Sequence, residues 1–132
     1  MTQEDKELLL KDLCARLPYG VKMNHIADDE HSPKTLIGVA KDMITLEGHG
    51  GYECVDVEDY KPYLFPLSSM TEEQRYELHD LIHNLNVLAI NGEIGDWIVS
   101  SSEIDFYNKY HLDYRGLIPK GIALDATGLN IY

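Results

Sequence analysis

The succession of hydrophobic periodicities constrains this chain more than any other feature. A helical spacing over the first 17 residues gives way to five short β-rich runs in the next fifty, and helical spacing returns after residue 70. Thr2 is placed to cap the first helix, Glu4 and Asp5 sit where its dipole favours negative charge, and Leu9, Leu10, Leu13, Cys14 and Leu17 recur on one side before Pro18 ends it. The β-rich runs are 19–26, 35–40, 43–47, 52–57 and 63–67. Turn signals at 28–33, Lys41-Asp42 and Gly48-His49-Gly50-Gly51 separate them, and the polar stretch 58–62 reads as a turn or single helical twist. Five strands in so short a span predict a small SH3-like barrel or a curled antiparallel sheet.

The second helix is announced by Thr71 as N-cap and Gln74 three residues on, a capping box, with Leu78, Leu81, Ile82 and Leu85 as its apolar stripe. Runs 87–90 and 94–99 flank Asn91-Gly92, a pair that suits a β-hairpin, with loop as the alternative because the runs are short. Ser101 or Ser102 is then the expected cap of a third helix through Phe106, Tyr107 and Tyr110, ending near His111 to Leu112. The apolar tail 113–124 is expected to dock back on the body, with a short helix begun by Asp113 or Pro119. The expectation is one α+β domain over 1–132: a helix (1–17), a small β-barrel-like subdomain (18–67) and a mainly helical remainder (68–132).

Charge excludes several roles. The 132 residues hold 23 Asp and Glu against 11 Lys and Arg, a net charge of −12 at pH 7. Residues 18–67 carry nine acids and four bases, so the sheet region is itself acidic. Such a surface repels phosphate backbones and anionic lipid, which argues against nucleic-acid and membrane partners. The polar start lacks the apolar run of a signal peptide, and Cys14 and Cys54 sit within apolar patterns as buried thiols rather than a disulfide framework. Together these point to a cytoplasmic setting.

Three stretches carry a resemblance: residues 1–21 (MTQEDKELLLKDLCARLPYGV), 61–73 (KPYLFPLSSMTEE) and 112–118 (LDYRGLI). They resemble a family of small uncharacterised proteins from gut Bacteroidales genomes and their phages or mobile elements. The resemblance implies a mobile-element or phage association and transfers no catalytic or binding residue.

The sharpest chemical pattern is His79-Asp80-Leu81-Ile82-His83. Histidines at i and i+4 share a helix face and can share a zinc ion, with Asp80 in the position of a general base, but a third ligand would have to be an unidentified carboxylate. The acidic loop Asp28-Asp29-Glu30-His31 lacks the ligand spacing of a calcium loop, and Gly48-His49-Gly50-Gly51 lacks the Lys-Ser/Thr of a phosphate loop. Tyrosine outnumbers phenylalanine nine to two. Because tyrosine offers large contact area at low entropic cost, Tyr60, Tyr63, Tyr107, Tyr110 and Tyr114 are the candidate binding residues. The sequence thus predicts an acidic protein-interaction module without catalysis or cofactor, acting on a basic partner as a mimic or inhibitor, with homo-oligomerisation open. The alternative is a small metal-dependent hydrolase built on His79 and His83.

Overall fold

Thr2 does cap α1 (Gln3–Arg16), its hydroxyl accepting the Asp5 amide proton at 3.1 Å. In this computed structural model, which describes residues 1–132, α1 buries Lys6, Leu9, Asp12, Leu13 and Arg16. The buried face is therefore rotated from the purely apolar one expected, because it includes an ion pair. Asp12 and Arg16 are fully buried and joined at 2.7 Å. Arg16 also donates to the Leu112 carbonyl at 2.7 Å, and Arg115 lies 3.3 Å from the other Asp12 oxygen. The guanidiniums of Arg16 and Arg115 each stand 5.1 Å from the Tyr114 ring, so one aromatic face set serves both cations. Burial pushes the Asp12 carboxyl up, against the pull of the two arginines.

Five strands follow: β1 (Lys22–His25), β2 (Lys34–Ala40), β3 (Met43–Gly48), β4 (Gly51–Asp56) and β5 (Tyr60–Leu64). With β6 (Leu124–Asp125) from the tail they form one sheet in the order β4-β3-β2-β1-β5-β6, antiparallel except for β5 with β6. The sheet is open, so the barrel alternative is not realised. Leu9 and Leu13 of α1 cover it together with Leu117, Ile122 and Ala123 of the tail, against Met23, Leu36, Ile44, Leu46 and Leu64. The tail thus docks back as expected, but through turns rather than a helix: the Asp113 carboxylate accepts the amides of Leu117 (2.8 Å) and Ile118 (2.9 Å).

β5 begins at Tyr60, three residues before the expected start, and contains Pro62. Ile26 donates to the Asp59 carbonyl, and hydrogen-bonded pairs in an antiparallel ladder alternate, so Pro62 opposite Met23 falls where no N–H is needed. The next bonded pair would be Lys22 with Tyr63. Instead the Tyr132 hydroxyl is inserted there, accepting the Lys22 amide at 2.9 Å and donating to the Tyr63 carbonyl at 2.7 Å. The Tyr132 ring stacks on His111 at 3.7 Å.

Two helices complete the fold, α2 (Glu72–Ile90) and α3 (Asp96–Lys109). The predicted β-hairpin around Asn91-Gly92 is absent: residues 87–90 are the last turn of α2. Gly92 at φ 76° closes it, with Glu93 N–H bonding Leu88 C=O and Gly92 N–H bonding Ala89 C=O. α3 starts six or seven residues early, after Gly95. Ser101 does not cap it, because its hydroxyl bonds back to the Trp97 carbonyl at 2.9 Å. α3 ends at Lys109, where His111 adopts φ 57° and Leu112 N–H bonds Tyr107 C=O.

Two outcomes follow from this arrangement. Asp12→Ala leaves Arg16 buried without its anion and is expected to lower unfolding free energy by about 3 to 5 kcal/mol in urea titration, whereas the double change Asp12→Leu with Arg16→Met recovers at least half of that. His111 is held down to about 4 by burial first and then by the charges of Arg16 and Lys22. The unfolded chain therefore takes up a proton below pH 6.5 that the folded chain refuses, and stability present above 6.5 is lost as pH falls toward 4. That loss is about 2 kcal/mol after discounting the partly open ring. His111→Asn, which tolerates the left-handed backbone, should flatten the urea midpoint between these pH values.

Candidate functional site

The element that stands out is the α2–α3 hairpin, because α2 buries none of its 19 residues. Its ends are fixed locally. Thr71 Oγ1 accepts the Gln74 amide at 3.1 Å and Gln74 Oε1 accepts the Thr71 amide at 3.0 Å, the capping box read from sequence. On one side α2 meets α3: the Tyr110 hydroxyl donates to Glu77, Lys109 approaches the same carboxylate at 3.4 Å, and Leu81 and Phe106 line one cleft. The tip is apolar and open, with Ile90 85% and Trp97 72% exposed and Val87 and Leu88 beside them.

On its other side α2 lines a groove of about 380 Å³ with Met70, Arg75, Leu78, His79, Ile82, His83 and Asn86. Here lie the sequence-predicted His79 and His83. They do share a face, their rings stacked at 6.3 Å and 7°. His79 Nδ1 is 3.7 Å from the Asp80 carboxylate, with both side chains in solvent. No set of three or more His, Cys, Asp or Glu converges here or elsewhere to hold a metal ion. The third ligand that the hydrolase alternative needs is not supplied by the fold.

The five candidate tyrosines are placed otherwise than a binding patch requires. Tyr60 and Tyr63 are buried in β5. Tyr63 meets His31 Nδ1 at 2.6 Å, and burial pushes its phenol up to about 12. Tyr60 reaches Glu53 at 3.4 Å, beside the Lys34–Glu53 pair. Tyr107 donates to Glu103 at 2.6 Å and is raised to about 12 by burial and that carboxylate. Tyr110 is spent on Glu77, and Tyr114 stacks on Tyr107 at 5.5 Å next to the two arginines. The first pair belongs to the sheet and the last three to the end of α3, and all are at least half-buried. The exposed tyrosines are Tyr52, Tyr76 and, with its hydroxyl turned into the β1–β5 seam, Tyr132, none of which the sequence singled out.

Asp28 in the acidic loop accepts the amides of Glu30 (2.9 Å) and Ser32 (3.1 Å), which hold its carboxyl below the usual range and close the β1–β2 turn. The Gly48–Gly51 segment is the β3–β4 turn, as expected, with Gly50 and Gly51 at positive φ. Cys14 and Cys54 are both exposed, contrary to expectation: Cys14 lies off the rotated face of α1 and Cys54 on the outward side of β4. The residues that the sequence reading passed over are Ile90 and Trp97. Their signal was the apolar run 87–90, which fills α2 on more sides than one core needs.

No family model, curated protein or solved structure matches the chain. No helix is long and apolar enough to cross a membrane. Both thiols are expected to react with Ellman's reagent in the native state, two per chain without denaturant; a count below two would show that one is shielded.

Proposed function

We propose that this chain is a protein-interaction module without catalysis, and that the α2–α3 hairpin is its docking element. The observation that carries the reading is the exposure of Ile90 and Trp97 on a hairpin whose first helix buries no side chain. An isoleucine and a tryptophan both more than two-thirds exposed at one end of a helical hairpin suit a binding role, because tryptophan is enriched among the anchors of protein interfaces. Residues 71–110 also carry eight carboxylates against only Arg75 and Lys109, half of the chain's net charge. Carboxylates of that density select a basic partner and speed its encounter, while the apolar tip supplies affinity. They support a protein that occupies a basic, nucleic-acid-binding surface by mimicry. The resemblance to proteins of Bacteroidales phages and mobile elements supports seeking that partner among host proteins. A cytoplasmic setting suits two exposed thiols.

The test uses surface changes that leave the fold intact. Ile90→Ser with Trp97→Ser should alter stability by no more than about 0.5 kcal/mol, since neither side chain is buried. Immobilised wild type is expected to retain a basic protein in a salt-sensitive way, and the double variant to lose at least about tenfold in affinity. Equal retention by both would sink the reading.

A further inference from the structure

The groove on α2 differs in charge from the rest of the molecule. Among its lining residues Arg75 is cationic, His79, His83 and Asn86 are polar, Met70, Leu78 and Ile82 are apolar, and there is no carboxylate. In a chain of net charge −12 an arginine beside three apolar residues, with no carboxylate in the lining, is locally opposed to the overall field. A basic partner is the wrong occupant for it. An apolar element with acidic flanks is the right one, and the chain holds such an element itself: the hairpin tip, where Ile90 and Trp97 lie beside Glu93 and Asp96.

Groove and tip also share one face of α2. Arg75, His79, Ile82, Asn86 and Ile90 recur at spacings of four, three, four and four, which keeps them in line along the helix. The opposite line, through Glu77 and Leu81, is the one turned to α3. Nineteen helical residues span about 28 Å, with the groove running from Met70 just before the helix to Asn86 and the tip at the end. If two α2 helices pack antiparallel about a two-fold axis, the tip of each meets the groove of the other, so one operation satisfies both surfaces twice. Two hairpins related in this way make a four-helix bundle, the architecture that short-looped antiparallel helix pairs commonly adopt.

Resting on the reading of the hairpin as docking element, we propose that the occupant of the α2 groove is a second copy of this chain, with Ile90 and Trp97 of one copy against Met70, Leu78 and Ile82 of the other. Arg75 then faces the partner's Glu93 and Asp96. The carboxylate against this lining is Asp80, 3.7 Å from His79 Nδ1 and itself outside the groove. The second copy and the basic partner then compete for Ile90 and Trp97, so retention of a basic protein falls as the dimer forms.

Sedimentation equilibrium on the full chain decides the matter. Wild type should be a dimer with Kd of about 10 µM or tighter. Ile82→Glu places a charge in the seam and should weaken it by at least about a hundredfold, and Asn86→Glu, at an exposed groove position, should weaken it with the monomer's helix content and melting temperature unchanged. Arg75→Glu should cost about tenfold, and adding Glu93→Arg should restore most of that, an exchange that a structural effect of either residue would not reproduce. A wild type that stays monomeric, or a charge exchange without recovery, overturns the dimer. If wild type is monomeric yet the Ile90→Ser, Trp97→Ser variant still loses a basic protein, the hairpin docks that protein instead and only the second copy is excluded as occupant. If neither assembly forms, both readings fall.

Discussion

The buried Asp12–Arg16 pair is the constraint on which the rest of the chain depends. Two charges at zero exposure are costly unless every neighbour cooperates, and here the neighbours come from distant parts of the sequence. Arg16 donates to the Leu112 carbonyl, Arg115 approaches Asp12, and Tyr114 lies against both guanidiniums. Arg16 Nη1 has no hydrogen-bond partner of its own, which leaves the aromatic face as the compensation for its desolvation. A hydrophobic substitute would pack against α1 about as well. It would not demand that the chain emerge from α3 at one place and one angle, because only a fixed carbonyl and a fixed cation satisfy the pair. That demand aims α3, and through α3 it aims the hairpin.

From the pair outward, the fold alternates between strongly and weakly held parts. The sheet and α1 share one core, sealed by Leu117, Ile122 and Ala123 of the tail. Tyr132 fastens the seam between β1 and β5 by standing in for a backbone hydrogen bond. The hairpin has no such support. Its first helix relies on a capping box, a glycine-closed C-terminus and one line of contact with α3, and local terms of this kind contribute about 0.5 to 2 kcal/mol each. A helix so held is the part of the molecule most open to local unfolding, and the part that gains most when its other face is covered.

Legibility in the sequence followed the locality of the cause. The capping box at Thr71 and Gln74, the cap at Thr2 and four of the five strand positions rest on neighbours a few residues apart, and they were visible. Asn91-Gly92 misled because positive φ at glycine serves a tight β-turn and a helix end equally, and only the apolar run before it, long enough for another helical turn, could have distinguished them. Asp12 and Arg16 were invisible as core residues: nothing nearby in sequence announces that their partners are Leu112, Tyr114 and Arg115. Cys14 was misplaced by the same error, since turning α1 to bury the ion pair turns the thiol outward. The tyrosines were chosen for what a free phenol offers, yet Tyr60, Tyr63, Tyr107 and Tyr110 each spend the hydroxyl inside the molecule.

The net charge takes on a different meaning once position is known. Spread over a whole surface, −12 is a matter of solubility and of excluded partners. Carboxylates that hydrogen-bond within the fold, as Asp28, Glu53, Glu77 and Glu103 do, still contribute charge to long-range attraction but have their contact partner inside the molecule. What discriminates is therefore the groove on α2, where Arg75 stands beside an apolar floor with no carboxylate in the lining. An acidic chain that kept a neutral-to-cationic apolar groove by chance would carry both an unpartnered hydrophobic surface and a charge pattern opposed to its own field. The same molecule carries, at the far end of the same helix face, an apolar tip of the opposite sign. Two complementary defects on one face are explained by one contact, whereas two unrelated partners would require each defect to have arisen separately.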